Sequence, residues 1–240
     1  MELAIYKKKF SLNFTQCYAN GKLKYSELNN LLQITAAEHA EVLGLGYMDM
    51  AQHQQAWVLA RLRIEIDAMP TILQDITVST WIQEFMGNRT VRNFAVQLGE
   101  KHIIVGSSLW AVFNTELRKA ENLAQPVDLS IIFPERKATQ QPVHRIEPLK
   151  QYSSADSYTS KISDLDFINH VNNVKYTDWC IDMLSQDQVF KDNFKSMDMN
   201  YLRELKYDET VSILKEEGDS AYHFAVQRDK KNIFLMTIEK

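Results

Sequence analysis

The chain has 240 residues, of which 45% are apolar and 24% charged, an ordinary globular composition. That balance excludes an intrinsically disordered chain and a collagen-like or fibrous one. Because 27 basic and 31 acidic side chains give a formal net charge of −4, no nucleic acid partner is predicted. Cys17 and Cys180 are too few for a disulfide framework and lack metal-ligand spacing, so no structural disulfide, metal or cofactor is predicted.

The apolar runs are far too short to cross a membrane, as in Ile103–Val105 and Leu109–Phe113. The N-terminal segment Met1–Lys9 places its charges after a short apolar stretch and has no apolar core of a signal peptide. We therefore expect a soluble cytoplasmic protein with no membrane span.

The first half is predicted to form one helix followed by an antiparallel meander. Ser26 is a candidate N-cap, and Gly44 lies just beyond the expected end of the helix. Between them, small and apolar residues recur at helical spacing: Leu28, Leu31, Leu32, Thr35, Ala36 and Ala40. Alternating residues then predict strands at Arg61–Ile66, Ile76–Ile82, Thr90–Leu98 and Ile103–Phe113.

The second half repeats this theme after a polar connector, residues 126–150, that four prolines interrupt. A strand around Ser157–Ile162 leads into a helix over Val171–Leu184, which is apolar on so many sides that we expect it to be buried. Further strands are predicted near Met199–Leu205, Val211–Lys215, Tyr222–Gln227 and Ile233–Ile238.

The two halves can be aligned as a tandem duplication. Lys24-Tyr25 matches Lys175-Tyr176 at an offset of 151, and Asp75–Val78 matches Asp208–Val211 at an offset of 133. The first half would then be 18 residues longer between these anchors. We predict an N-terminal domain over 1–125, a connector over 126–150 and a C-terminal domain over 151–240. Two unrelated α+β halves are the alternative.

The densest polar cluster, residues 164–176, lies where a strand meets the start of the second helix, and it includes Asp166 and His170. Unpaired backbone N–H groups near Val171–Asn173 could hold a developing oxyanion, as acyl transfer requires. A carboxylate and a histidine beside such donors suit water-mediated hydrolysis of an activated carbonyl. The alternative is a simple capping turn.

The pattern Asp-x-Asp-x-x-x-His-Val-Asn-Asn, followed by Val-Lys-Tyr, resembles the signature of bacterial-type acyl-(acyl carrier protein) thioesterases. Other segments are also similar to that family, over about Phe10 to about Ile238: Gly21–Ser26, Trp57–Arg63, Ser108–Asn114 and Tyr201–Glu204. The resemblance implies an α+β double hotdog, in which two antiparallel sheets each wrap a central helix. It also implies hydrolysis of the thioester between a fatty acyl chain and the carrier's phosphopantetheine.

Carried over residue by residue, the resemblance assigns Asp166 and His170 to catalytic positions, and Glu204 to the glutamate that handles the attacking water. Ile168 stands where the plant enzymes have asparagine, and Leu205 where they have cysteine, which excludes a cysteine nucleophile there. Glu204 is then the candidate base, with Asp166 orienting His170 or the water. One open alternative is that Asp166 is the base or the nucleophile. Another is that Glu204 has no catalytic role and pairs with Arg203 or Lys206 on a solvated strand face.

The candidate substrate-binding residues are Asn169, Asn172, Asn173 and Trp57. In the first half, Thr15, Ala19 and Ile64 align with the three catalytic candidates, so that half is expected to bind the acyl chain without catalysing. A tunnel could be lined by Leu31, Ile34, Leu43, Met48, Met50 and Trp57, although such a stripe is also typical of plain core.

The implied partner is an acidic acyl carrier protein, and a homodimer is compatible with the sequence. Basic residues that could steer the carrier are Lys7–Lys9, Arg89, Arg92, Arg118 and Lys119. The remaining histidines, His39, His53, His102, His144 and His223, are interpreted as structural or surface residues. Alternatives to the carrier protein thioesterase are an acyl-CoA thioesterase, a non-catalytic acyl-thioester sensor, and a hydratase or dehydratase.

Overall fold

The computed structural model describes residues 4–191 and 193–240, which divide into two compact units. The first unit comprises the chain up to Lys24 and Leu28–Val143, and the second comprises Tyr25–Glu27 and His144–Lys240. The prediction about the N-terminal segment falls partly on residues 1–3, which lie outside the described residues. Within the described ranges, no helix combines the length and apolarity needed to cross a membrane.

The first unit is an antiparallel sheet with a long helix. Its helices are α2 (Tyr47–Ala51) and all but the first three residues of α1 (Tyr25–Val42). Its strands are β1 (Ile5–Ser11), β2 (Gln55–Ile66), β3 (Asp75–Phe85), β4 (Arg89–Leu98), β5 (Lys101–Asn114) and β6 (Lys119–Ala120). The strand order is β1-β3-β4-β5-β2, and β6 pairs with the far end of β5. The strands predicted at 61–113 are therefore confirmed, with β2 and β3 longer than expected.

The inner face of α1 is buried as its spacing predicted, with Leu28, Leu31 and Leu32 almost fully covered. The predicted N-cap at Ser26 is wrong. Lys24 has the extended backbone of an N-cap, and its carbonyl accepts the first helical hydrogen bond, from the N–H of Leu28. Strand β1 escaped prediction because three consecutive lysines mask its alternation, a composition that suits an edge strand.

The second unit has helices α3 (Asn173–Ile181) and α4 (Gln186–Lys191), and strands β7 (Ser154–Thr159), β8 (Ser196–Tyr201), β9 (Thr210–Glu217), β10 (Ala221–Arg228) and β11 (Lys231–Glu239). Its strand order, β7-β9-β10-β11-β8, repeats the order of the first unit element for element. This repetition supports a duplication over two unrelated halves.

Helix α3 is shorter than the predicted Val171–Leu184. It starts after Asn172, whose side chain accepts a hydrogen bond from the N–H of Val174 at 3.1 Å. It ends at Ile181, and Ser185 and Gln188 then exchange side-chain and backbone hydrogen bonds at the start of α4. The expected burial holds, since Tyr176 stacks on Phe234 with ring centroids 5.3 Å apart.

Strand β8 ends at Tyr201, so the predicted strand over Met199–Leu205 is wrong in its second half. Beyond Tyr201 the N–H groups of Leu202 and Arg203 both turn to the carbonyl of Ile233. Glu204 therefore lies in a loop rather than on a strand face, which removes the alternative of a strand glutamate.

The internal hydrogen bonds of the two units set the true register of the duplication. The N–H of Tyr18 bonds the carbonyl of Lys22 at 2.9 Å, and the N–H of Asp166 bonds that of His170 at 2.7 Å, an offset of 148. Leu73 and Asp208, at an offset of 135, both have a positive φ. The N–H of Leu73 donates to the carbonyl of Leu12, as the N–H of Asp208 donates to the carbonyl of Ser160. The offsets of 151 and 133 are therefore wrong. The first unit is 13 residues longer between these anchors, not 18.

The connector is fastened to both units in turn. The carbonyl of Arg136 accepts a hydrogen bond from Trp81 Nε1 at 2.8 Å, and the N–H of Gln140 donates to Glu65 at 2.8 Å. From His144 onward the chain contacts the second unit, where Asn200 bonds the backbone of His144 and Ile146. Prolines and polar residues here mark an extended segment held by side chains, not a free linker.

Candidate active site

Asp166 and His170 occupy a tight turn immediately before α3. The Asp166 carboxylate accepts hydrogen bonds at Oδ1 from the backbone N–H groups of Ile168 and His170, both at 3.0 Å. Asn169 completes the turn with φ of 65°, a left-handed conformation that asparagine tolerates better than most residues. The carboxylate therefore fixes the backbone from which the imidazole projects, a different role from bonding the imidazole itself.

Glu204 comes to this turn from the loop after β8. The N–H of Val171 donates to the carbonyl of Leu205 at 2.8 Å, which joins the two loops beside the site. His170 Nε2 and Glu204 Oε2 then lie 3.6 Å apart, with 19% and 33% of their side chains exposed. The two candidates from distant parts of the sequence are thus brought together, half-buried and within reach of one water molecule.

Asp164 supports the turn from below, a role that the sequence analysis missed. Its carboxylate is buried and accepts hydrogen bonds from the Tyr158 hydroxyl and the Lys161 N–H, each at 2.8 Å. Its carbonyl accepts from the N–H of Asn172 at 2.8 Å, and Lys175 Nζ lies 3.9 Å from Oδ1. Burial, together with the Asp164 carboxylate, raises the pKa of Tyr158 to about 12, so its hydroxyl remains a donor. The only sequence signal for this role is that Asp164 is the first aspartate of the Asp-x-Asp pattern.

Two of the three backbone N–H groups expected to hold the oxyanion, those of Val171 and Asn172, already have partners. The N–H of Val171 is bonded to Leu205, and that of Asn172 to Asp164. The N–H of Val174 is bonded to the Asn172 side chain. Because donors already used inside the protein cannot also receive an oxyanion, the N–H groups of Val171 and Asn172 are unsuited to this role, and side-chain amides are the alternative chemistry.

The four candidate substrate-binding residues are distributed unevenly. Asn169 is exposed at the tip of the turn, whereas Asn172 and Asn173 are half-buried at the start of α3. Trp57 lies in β2 of the first unit, where its Nε1 donates to the carbonyl of Leu45 at 3.1 Å. Of the candidate tunnel residues, Met50 is buried but Met48 is 69% exposed, so Met48 is withdrawn from the lining.

The predicted basic residues do not form one patch. Lys7 of β1 pairs with Ser79 of β3, which in turn pairs with Ala95 of β4. Ala95 is six residues from Arg89, so Lys7 and Arg89 are about 20 Å apart along the strand direction. Lys8 is tied to Glu38. Arg92 is buried, and its Nη1 bonds His39 Nδ1 at 2.7 Å; burial lowers the pKa of Arg92 to about 10. Arg92 and His39 are therefore structural residues of the first unit.

Neither cysteine is suited to be a nucleophile. Burial raises the pKa of both thiols, so each is a neutral thiol near pH 7. Leu205, at the position where the plant enzymes have cysteine, is fully buried. In the described part of the chain, no three His, Cys, Asp or Glu side chains gather as a metal site would require.

The corrected register changes which residues of the first unit correspond to the catalytic candidates of the second unit. Asp166 corresponds to Tyr18 rather than Thr15, and His170 to Lys22 rather than Ala19. Glu204 corresponds to Met69 rather than Ile64, because Asp67 and Ala68 bond Ile103 as Leu202 and Arg203 bond Ile233. The first unit therefore has neither a carboxylate nor an imidazole at these three positions.

Comparison with known proteins gives the same organisation. Residues 4–128 match the profile of the acyl-ACP thioesterase N-terminal domain, and residues 147–236 match that of the C-terminal domain. An acyl-ACP thioesterase structure from Bacteroides thetaiotaomicron has a TM-score of 0.90 and 25% identity, covering 100% of this chain and 99% of that one. The 12:0-ACP thioesterase from Umbellularia californica has a TM-score of 0.87 and 19% identity, covering 100% and 98%.

A curated relative, the chloroplastic oleoyl-acyl carrier protein thioesterase of Coriandrum sativum, is 25% identical over 87% of this chain. The chain spans 62% of that relative's length. The structural likeness confirms the predicted α+β double hotdog fold. Two consecutive domain matches that span most of the residues establish that this chain belongs to the acyl-ACP thioesterase family.

Proposed function

We propose that this chain hydrolyses the thioester between a fatty acyl group and the phosphopantetheine of acyl carrier protein. The products are a free fatty acid and the carrier's thiol. The observation that carries the proposal is the pair formed by His170 and Glu204, 3.6 Å apart beside the start of α3. Family membership supports the substrate class, since the matching domains bear that substrate's name.

The proposed chemistry is attack by water without a covalent intermediate. One water placed beside His170 Nε2 and Glu204 Oε2 can contact both atoms, because they are only 3.6 Å apart. Glu204 takes a proton from this water as its oxygen attacks the carbonyl carbon. A C–O bond forms, the C–S bond breaks, and the proton passes to the departing sulfur. His170 holds the water and the carboxylate in place.

Asp166 acts in this proposal mainly by holding His170. Its Oδ1 already accepts two backbone hydrogen bonds, so its contribution is the conformation of the turn and a negative charge near the imidazole. Asp166 as the base or the nucleophile is the competing assignment. Both assignments need the negative charge of Asp166, which a substitution by asparagine removes while it keeps an oxygen acceptor.

We assign the oxyanion to the side-chain amide of Asn172. Its Oδ1 caps α3, and its Nδ2 is left as a donor at the edge of the turn. An amide donor of this kind typically contributes about 10²-fold or more to turnover in acyl-transfer enzymes. Asn169 and Asn173 are the competing donors.

We further propose that the first unit binds the acyl chain and does no chemistry. Support comes from the corresponding positions of the first unit, which have no acid and no imidazole. The residues there are Tyr18 in place of Asp166, Lys22 in place of His170, and Met69 in place of Glu204. Leu31 and Met50 are the buried members of the proposed tunnel lining, and Ile34, Leu43 and Trp57 are partly buried.

Release of free thiol from matched acyl carrier protein and acyl-CoA substrates of several chain lengths tests the function. We expect a higher kcat/KM with the carrier protein, and a loss of about 10²-fold or more in kcat for Glu204→Gln. Equal or better use of acyl-CoA would favour an acyl-CoA thioesterase. Binding of acyl thioester with no thiol released would instead indicate a non-catalytic binding protein.

Two further predictions from the sequence are retained. A cytoplasmic location would be tested by fractionation of the source cells. A homodimer would be tested by light scattering of the purified chain. Neither enters the proposed chemistry, because Asp166, His170 and Glu204 all come from one copy of the second unit.

A further inference from the structure

Two loops of the second unit are fastened together around the candidate active site. Loop A is residues 160–172, which carries Asp166 and His170, and loop B is residues 202–209, which carries Glu204. Ser160 Oγ donates to the carbonyl of Lys206 at 2.5 Å, and the N–H of Asp208 donates to the carbonyl of Ser160 at 3.1 Å. With the bond from Val171 to Leu205, these contacts make the loops one continuous rim.

The rim exposes large apolar side chains. Phe167 is 79% exposed and Ile162 76% exposed on loop A, and Ile168, Leu202 and Tyr207 are also exposed. Five such residues in 21 positions form an unusual concentration beside a polar site, and exposed apolar groups of this kind mark interaction surfaces. Phe167 and Ile168 directly precede Asn169 and His170, so they belong to the same turn as the candidate active site.

The exposed charges on the rim are mainly positive. Lys161, Arg203 and Lys206 are exposed, against Asp208 as the exposed acid of the two loops. Of the other acids, Asp164 is buried against Tyr158, and Glu209 is paired with Arg228 at 2.6 Å. Asp166 and Glu204 are half-buried in the candidate active site. Arg203 is held by a hydrogen bond from its Nη1 to the carbonyl of Asn232 at 2.7 Å, which fixes the guanidinium at the surface.

We propose that this rim is the surface that docks the carrier protein. The inference rests on the proposed function, because it names where the carrier end of that substrate binds. A carrier thioester joins the reacting bond, through the phosphopantetheine arm, to a phosphodiester and an acidic protein, and basic residues around an apolar centre complement both.

Charge reversal at two exposed lysines tests the docking surface. The test variant is Lys161→Glu with Lys206→Glu, and the matched control is Lys191→Glu with Lys195→Glu, at the opposite end of β8. Each is assayed with an acyl carrier protein and with the same acyl group on N-acetylcysteamine, which lacks protein and phosphate. We expect the ratio of the two kcat/KM values to fall about tenfold or more in the test variant only. The fall should shrink at high salt.

Binding of the holo-carrier protein, measured by surface plasmon resonance, separates this inference from the proposed function. If the parent chain hydrolyses neither thioester but binds the carrier, and the test variant does not, the docking surface stands and the hydrolase proposal fails. If the parent hydrolyses both and neither the ratio nor the binding changes, the surface is overturned. Absence of both hydrolysis and binding overturns both.

Two other results would also overturn the surface. The first is an equal loss of acyl-CoA and carrier activity, which would mean that the lysines recognise the phosphate alone. The second is a fall in the ratio for Lys7→Glu with Lys9→Glu, which would move docking to β1 of the first unit.

Discussion

One carboxylate oxygen decides how the turn before α3 is built. Because Asp166 Oδ1 accepts two backbone hydrogen bonds, an amide oxygen can replace it sterically, but a methyl group cannot. We predict that Asp166→Asn folds normally yet lowers kcat by about 10²-fold or more. His170→Ala should lower kcat by a similar factor. Thiol release and thermal unfolding of the purified variants provide the measurement.

Asp166→Ala is the matched control for that prediction. It removes the acceptor as well as the charge, so it should also lower the free energy of unfolding by about 1 kcal/mol or more. If Asp166→Asn keeps near-normal turnover while Asp166→Ala loses it, the residue only shapes the turn. The catalytic assignment of Asp166 would then be abandoned.

The assignment of the oxyanion to Asn172 is tested by Asn172→Ser. Serine caps a helix about as well as asparagine, so α3 should keep its start and its stability. Serine lacks the amide donor, and we predict a fall of about 10²-fold in kcat with little change in KM. Steady-state kinetics with one acyl carrier substrate measures both. A larger fall in Asn173→Ala or Asn169→Gly would assign the oxyanion donor to that residue.

Residue chemistry was predictable here, but the use of each backbone donor was not. The spacing of Asp166 and His170, together with the family resemblance, pointed to the acid and the imidazole. Which N–H groups remain for a substrate depends on Leu205, which lies 34 residues beyond Val171 in the sequence. A local pattern contains no information about such a partner.

At the scale of elements, the errors in register have periodic causes. The helical anchor was misplaced by three residues, nearly one turn, so the apolar pattern of the two helices still matched. The strand anchor was misplaced by two residues, which leaves every side chain on its face. Periodicity therefore reveals which elements exist and how they are ordered. It cannot distinguish between alignments of the two halves that differ by one helical turn or by two strand residues.

The inner face of α1 offers a prediction about the acyl chain. Ala36 is buried on this face. If the first unit holds the acyl chain, Ala36→Phe should shorten the available space and shift kcat/KM toward shorter acyl groups. Turnover of the shortest substrate should change little, because the catalytic candidates belong to the second unit. The chain-length profile of thiol release is the measurement.

Ala37→Phe, on the exposed side of the same helix, is the control and should leave the profile unchanged. Overpacking a close-packed core typically costs about 1–3 kcal/mol and would harm all substrates alike. A uniform loss at every chain length, at equal folded fraction, would therefore mean that Ala36 is plain core. The tunnel would then have to be sought elsewhere.

At the scale of the whole molecule, the connector shows how a polar segment is stabilised without a core of its own. Its backbone N–H groups at Gln140 and Gln141 donate to the two oxygens of Glu65, at 2.8 and 3.2 Å. Arg63 Nε lies 2.9 Å from the same carboxylate. Composition predicted the segment, whereas its attachment depended on one glutamate of β2 that no local pattern singled out.

This attachment predicts how stability depends on pH. Burial disfavours the ionised carboxylate, but the bonds from Gln140, Arg63 and Gln141 outweigh it, so the pKa of Glu65 is lowered. A lowered folded-state pKa contributes stability above the unfolded value of about 4.3. That contribution is lost as the pH falls through the folded-state pKa. Protonation should therefore weaken the connector only in acid.

We predict that Glu65→Gln lowers the free energy of unfolding at pH 7 by about 1.5–3 kcal/mol, the range for hydrogen bonds to a charged group. The difference from the parent should narrow below about pH 4. Denaturant unfolding of both proteins between pH 3 and pH 7 measures it. Glu147→Gln is the control, because its exposed pair with Arg145 should contribute little at any pH. Parallel curves for Glu65→Gln and the parent would mean that the charge of Glu65 does not hold the connector.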